Sequence, residues 1–385
     1  MSNFPRETYL ERTAIARAEL ARRGLSALLV LAQESHYYLF GYDGGGYVFF
    51  QCAVLTAEGD PVTLLCRRPD VAQARDTSTI EDIRIWLNAK DADPAGQLRD
   101  ILVERGLAGS TVGIEMDSHG CTGATYAAIA GALDGVCDHV DGSDIVRRQR
   151  LIKSEAELVY IREAAKLADA AVEAVASAAR PGVLDSTLTA AAMAAMLEGG
   201  GDMPPAGPLV NSGRRAIYGR GVGGARPLET QDQVMIELAG TYRRYNCCIE
   251  RVVILGSPSE AQLSMYRLVE ETLREMLEAF RPGEPLGVVD QIHRARLDAA
   301  GFGAHRYAAC GYSLGATYRP SWMDVPPMIY ADNPLELRPG MVFFPHVMLG
   351  DADSGLAMGV GQTVLVTEGA PEVLNGFPLE LIVRD

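Results

Sequence analysis

Apolar residues recur with two different periods along the 385-residue chain. In the first third, short apolar runs alternate with amphipathic stretches. Tyr9, Leu10, Ile15 and Leu20 stand among charges over residues 5–24, which predicts a helix ending before Gly24. ALLVL at Ala27–Leu31, VFFQCAVL at Val48–Leu55 and VTLLC at Val62–Cys66 predict strands, the last two joined by the turn Glu58-Gly59-Asp60. A strand around Ile80–Trp86, a helix near 94–106, a strand at Thr111–Ile114 and a helix near 122–133 follow. The alternation predicts an α/β domain over residues 1–146.

The period lengthens after that boundary. Ser154 and Glu157 form a capping box, and Leu158, Ile161, Leu167, Ala171 and Val175 then recur on one face of a long helix. Arg180-Pro181-Gly182 stops it, and an Ala-rich helix runs on to Gly199-Gly200-Gly201. The unit returns later: a helix over about 258–280, then Arg281-Pro282-Gly283, then a helix to Gly301. The strand-like stretches VMIEL, YNCCIERVVIL, MVFFPHVML and TVLVT complete each copy. Residues 147–385 therefore read as an α+β domain with a pseudo-twofold duplication and a site where the halves meet.

Composition narrows the partners. The formal net charge of −15 disfavours nucleic acid and anionic membrane surfaces. No apolar run reaches the ~20 residues that span a bilayer, and the charged N-terminus lacks a signal-peptide core. Seven cysteines without regular spacing do not form a disulfide framework in a chain of this length. Gly44–Gly46 and Gly199–Gly201 lack the Lys-Ser/Thr of a phosphate loop. The expectation is a cytoplasmic enzyme acting on a small molecule.

Several ordered motifs resemble one family. RLIKSEAELVYIREAAKLAD, LRPGMV at Leu337–Val342 and TVLVTEGAPEVL at Thr363–Leu374 are similar to the pita-bread fold of aminopeptidase P, prolidase and creatinase. SHYYLFGYDG at Ser35–Gly44 resembles the creatinase-type N-terminal domain. The resemblance implies a creatinase-like α/β N-terminal domain, a pita-bread C-terminal domain and a homodimer. Peptidases of this kind hold two metal ions with two Asp, one His and two Glu. Here those positions carry Glu237, Cys248, Tyr312, His346 and, near the last, Gly361. No metal and no cofactor are expected. Glu250, before Arg251, matches a creatinase substrate-binding glutamate, whereas that enzyme's general-base histidine is missing; Arg220 sits nearest its position. Glu237-Leu238-Ala239-Gly240, Gly311-Tyr312-Ser313 and His346–Gly350 most resemble the metal-free ectoine hydrolase group.

That resemblance implies opening of a small cyclic C–N compound, with Glu237 attacking to form a covalent adduct. His346 and Tyr312 are the candidate proton donors. Glu250, Cys248, Tyr245, Arg220, Trp322 and, from a lid-like stretch His36–Gly46 reaching the partner subunit, Tyr42 are candidate substrate contacts. Each has an ordinary alternative: a solvent-facing strand glutamate, a satisfied core histidine, a small buried thiol or an aromatic packing residue. His305 and Tyr307 are weaker candidates. The rival functions are a metal-dependent Xaa-Pro peptidase or a lyase on the same fold, a creatinase-type amidinohydrolase, and a binding protein without activity.

Overall fold

A computed structural model describes residues 3–59, 61–221, 223–306 and 309–385; Asp60 of the expected turn and Tyr307 lie outside the described residues. The chain forms two compact units, Met1–Arg150 and Leu151–Asp385.

The first unit contains, in order, α1 (Arg6–Arg22), β1 (Ala27–Val30), α2 (Gln33–Phe40), β2 (Cys52–Thr56), β3 (Thr63–Arg67), α3 (Val71–Thr77), β4 (Asp82–Trp86), α4 (Pro94–Glu104), β5 (Thr111–Ile114), α5 (Gly123–Leu133) and β6 (Asp138–Asp141), with α6 (Asp144–Leu151) leading out. Its sheet runs β4-β3-β2-β1-β5-β6, with both neighbours of β2 antiparallel to it and the outer pairs parallel. β1 is buried on both faces, which is why it reads as a continuous apolar run. Leu28 and Val30 join the core beneath α1 and α2, while Ala27 and Leu29 join the one beneath α4 and α5.

Two expectations change here. Val48 and Phe49 are exposed, and the strand starts only at Cys52; the Arg67 guanidinium covers the Phe49 ring at 3.8 Å. The stretch His36–Gly46 is not a loop throughout, since α2 extends to Phe40 and Gly41 closes it at φ 80°.

The second unit holds α7 (Glu155–Ala178), α8 (Asp185–Glu198), β7 (Leu209–Ser212), β8 (Asp232–Tyr242), β9 (Tyr245–Leu255), α9 (Glu260–Glu278), α10 (Gly287–Ala299), β10 (Gly311–Ser313), β11 (Val342–Gly350), β12 (Ala357–Gln362), β13 (Val364–Leu365), β14 (Glu372–Val373) and β15 (Ile382–Arg384). The main sheet order is β14-β13-β11-β12-β9-β8-β7, antiparallel throughout; β10 adds beside β11, and β15 adds parallel to β9. The Ser154–Glu157 capping box starts α7 as expected, with the Ser154 N–H donating to Glu157 at 3.0 Å.

The duplication is visible in the backbone. Gly182 donates to Leu228 O at 2.8 Å and Gly283 to Leu337 O at 2.9 Å, and each leucine returns a bond to the residue after its glycine. Each half has its own core: α7 and α8 pack on β7, β8 and β9, and α9 and α10 pack on β11 and β12. Gly240 explains how closely α7 approaches, since a Cβ there would lie 2.1 Å from Ala164 O. No described helix is long and apolar enough to cross a membrane.

Candidate active site

Both halves of the duplication deliver a residue to the same row. Glu237 stands nine residues after Leu228, and His346 nine after Leu337. On the sheet Glu237 (β8) faces Glu250 (β9), Glu250 faces Gly361 (β12), and Gly361 faces His346 (β11). Residues paired across strands share a face, so these four form a line across the sheet. The pair Glu237/Glu250 in one half corresponds to His346/Gly361 in the other.

Tyr312 comes in from β10, opposite Phe344. Its ring centroid lies 5.5 Å from that of Phe344 and 6.0 Å from that of His346. Its hydroxyl donates to Glu237 Oε1 at 2.9 Å and accepts from Trp322 Nε1 at 2.8 Å. Trp322 thus fixes the direction of the phenol proton, which points at the carboxylate.

Glu250 is fully buried, and neither of its carboxylate oxygens has a hydrogen-bond partner among the described residues. An unsatisfied buried carboxylate costs several kcal/mol. The neighbouring Arg251 does not pair with it through the side chain, because its guanidinium is occupied by the carbonyls of Glu250, Gly361, Phe377 and Pro378. His346 Nδ1 lies 3.7 Å from Glu250 Oε2 and likewise lacks a partner. Two glycines of β12 keep this space open. A Cβ on Gly359 would sit 2.2 Å from Glu250 Oε1, and one on Gly361 would sit 2.4 Å from the Phe344 ring.

Burial raises the pKa of Glu237 to about 7, against the lowering effect of the Tyr312 hydrogen bond and of the Arg220 charge. Burial pushes Glu250 well above the usual carboxylate range, and the Glu237 charge pushes it further. At neutral pH Glu250 is therefore the carboxyl that keeps its proton, while Glu237 is close to half-ionised. Burial lowers His346 to about 4, with His293 adding to the effect, so this imidazole is neutral at pH 7. It therefore cannot serve as a standing imidazolium donor.

Among the remaining candidates, Cys248 shares the face of Glu250, but burial keeps its thiol protonated. Its backbone is clamped by Thr363, which accepts its N–H and donates to its carbonyl. Arg220 is exposed and acts on Glu237 only through its charge. Tyr245 requires correction. It is five residues before Glu250, an odd number, so it points to the opposite face, where its hydroxyl donates to Glu157 of α7 at 2.8 Å. Tyr42 also differs from expectation: it is fully buried in the first unit and donates to Gln51 at 3.1 Å, so it is not a surface lid residue. His305 lies beside Gly350, at the C-terminal end of β11 and four residues along the strand from His346. Sequence reading missed Gly359 and Thr363; the period-two glycines of AMGVGQ were the available signal.

The donor set does not fit a pair of divalent ions. The five positions offer one carboxylate, a protonated thiol, a phenol already donating to that carboxylate, a neutral imidazole turned toward Glu250 and a glycine. Two ions bridged by carboxylates need several anionic oxygens converging at ~2 Å.

Comparison with known proteins agrees with this architecture. The profile of Metallopeptidase family M24 matches residues 159–368, and that of the Creatinase/Prolidase N-terminal domain matches residues 12–152. An ectoine hydrolase from Halomonas elongata is 28% identical over 397 residues, covering 99% of this chain and 98% of its own. An Xaa-Pro dipeptidase from Pyrococcus furiosus is 26% identical over 348 residues, covering 90% and 92%. The crystal structure of a prolidase from Thermococcus sibiricus superposes with a TM-score of 0.88 at 20% identity, over 97% of this chain and 99% of that one.

Proposed function

The chain belongs to metallopeptidase family M24 and is a hydrolase of that family; from that premise we propose that it opens a small cyclic C–N compound, an amidine or a related amide, without a metal pair. The observation that carries this reading is the in-register pair of half-buried Glu237 and fully buried Glu250, with the oxygens of Glu250 unpartnered among the described residues beneath two glycines. An amidinium supplies what that pair lacks, a planar cation with two N–H donors. The name of the Halomonas elongata relative adds ectoine, a cyclic amidine, to the compounds to try.

The proton inventory fits such a substrate. The amidinium, the form an amidine takes at neutral pH, binds as the proton of Glu250 leaves to solvent, and it is then held against the resulting carboxylate. Glu237, anionic and aimed by Tyr312, attacks the amidinium carbon. One C–O bond forms and one ring C–N bond breaks; the retained nitrogen gives up its proton to the Glu250 carboxylate, which passes it to the departing nitrogen, so that this leaves as an amine. Water then hydrolyses the adduct, with neutral His346 beside Glu250 accepting its proton. Incubation with a panel of cyclic amidines, lactams and Xaa-Pro dipeptides, read by mass spectrometry, tests the assignment. A product one water heavier from a ring compound is expected; cleavage of the dipeptides alone would contradict it.

The acid limb of the pH profile follows from the same pair. Glu237 works as an anion and its pKa is about 7, so with a neutral lactam, which needs no proton exchange with Glu250, kcat/KM should fall roughly tenfold per pH unit below 7 and level off above it. A limb centred near ~4.3, the value of an exposed glutamate, would place the essential group elsewhere. The family resemblance further supports a homodimer. Sedimentation at assay concentration is expected to give twice the mass of the 385-residue chain; a fully active monomer would remove that proposal.

A further inference from the structure

A second group of chemically capable side chains lies in the C-terminal half, outside the Glu237–Glu250–His346 row. Asp290 and His293 sit three residues apart on one face of α10, and Cys310 immediately precedes β10. Their relative exposures are 0%, 1% and 1%. One ligand atom from each lies within 4.8 Å of the other two, and His293 Nδ1 is 3.4 Å from Asp290 Oδ1. Among the described residues neither Asp290 oxygen accepts a hydrogen bond from nitrogen or oxygen, nor does His293 Nδ1 have a partner, while the Cys310 thiol lies close to the Asp290 carboxylate. A carboxylate so buried needs a cation, or protons from its neighbours.

We propose that Asp290, His293 and Cys310 bind one divalent transition-metal ion, zinc by the character of the donors. A thiolate, an imidazole and a carboxylate are the three side chains zinc prefers. Around a tetrahedral ion with bonds of ~2.0–2.3 Å, ligand atoms lie roughly 3.3–3.8 Å apart, so the set closes with small movements. Among the described residues no other group of this kind gathers. The fourth position is left to water. On binding, the thiol proton of Cys310 is released to solvent and its sulfur donates to the ion; no redox change occurs.

The site has a definite place in the fold. Cys310 is two residues before Tyr312, and its carbonyl accepts the N–H of His346. The ion therefore ties α10 to the strands that bring Tyr312 and His346 to the candidate active site. It is a structural clamp and takes no part in the attack by Glu237.

Cobalt(II) is the probe. Metal-stripped full-length protein titrated with cobalt is expected to bind one ion per chain, with a near-ultraviolet thiolate-to-cobalt band, visible bands of a tetrahedral ion and a melting temperature raised by several degrees. Zinc should displace the cobalt and erase the bands. Cys310→Ser should lose the thiolate band, and Asp290→Asn should weaken binding at least tenfold, each with an unchanged far-ultraviolet circular dichroism spectrum. If Cys310→Ser proves unfolded, Asp290→Asn and the zinc displacement still decide the matter. Glu237→Gln should bind cobalt as the parent does, which separates this site from the proposed reaction. Absence of a band, a band that survives in Cys310→Ser, or binding lost in Glu237→Gln would overturn the proposal. Protons shared within the triad would then account for Asp290.

Discussion

Glu237→Gln is expected to lower kcat by at least ~10³ while leaving KM nearly unchanged, the signature of a group that acts in the transition state. At about 1.4 kcal/mol per tenfold, that is a loss of roughly 4 kcal/mol. The glutamine keeps the volume and can still accept from Tyr312, so the geometry survives while the anion is lost. Cys248→Ala is the paired control. Its thiol is buried and protonated, and Thr363 holds the backbone around it rather than the sulfur. Its loss should cost less than tenfold. Steady-state kinetics on both variants decides between the two nucleophiles: a dead alanine variant beside an active glutamine variant would reverse the assignment.

Glu250→Gln should act on the other parameter. The carboxyl group lies in a space that Gly359 and Gly361 leave open, with no partner of its own among the described residues. Removing one member of a buried ion pair costs ~3–5 kcal/mol, so kcat/KM for an amidine should fall by roughly 10²–10⁴. Most of that fall should appear in KM, because the interaction with the cation exists before the attack. A neutral lactam of the same ring size should lose much less. If both substrates lose equally, Glu250 does not recognise charge.

How far the sequence revealed this arrangement depended on the kind of signal each element carries. The helix pairs divided by Arg180-Pro181-Gly182 and Arg281-Pro282-Gly283 were legible because capping, periodicity and left-handed glycine are local. The long strands β8 and β9 were legible from their alternation, which put Glu237 and Glu250 in view. β12 was not. AMGVGQ has few β-branched residues, and its two glycines weaken any strand reading. Those glycines are there because Glu250 and Phe344 occupy the space a side chain would need. The role offered for Tyr245 failed on parity along β9, which was countable once the strand was drawn. Tyr42 misled because an aromatic within a glycine-rich stretch reads as surface, whereas α2 folds it into its own core. Asp290 and His293 drew no notice because their partner, Cys310, joins them only through tertiary packing.

Ring opening by metal-depleted enzyme tests the central claim most directly. Protein dialysed against a strong chelator, shown by elemental analysis to be free of zinc, manganese and iron, is assayed on the compound found in the screen. Attack by the Glu237 carboxylate predicts that kcat/KM stays within a small factor of the untreated value and does not rise when any of these ions is restored. Loss of activity on chelation, with recovery on adding one of them, in the Asp290→Asn variant as well as in the parent, would contradict the account.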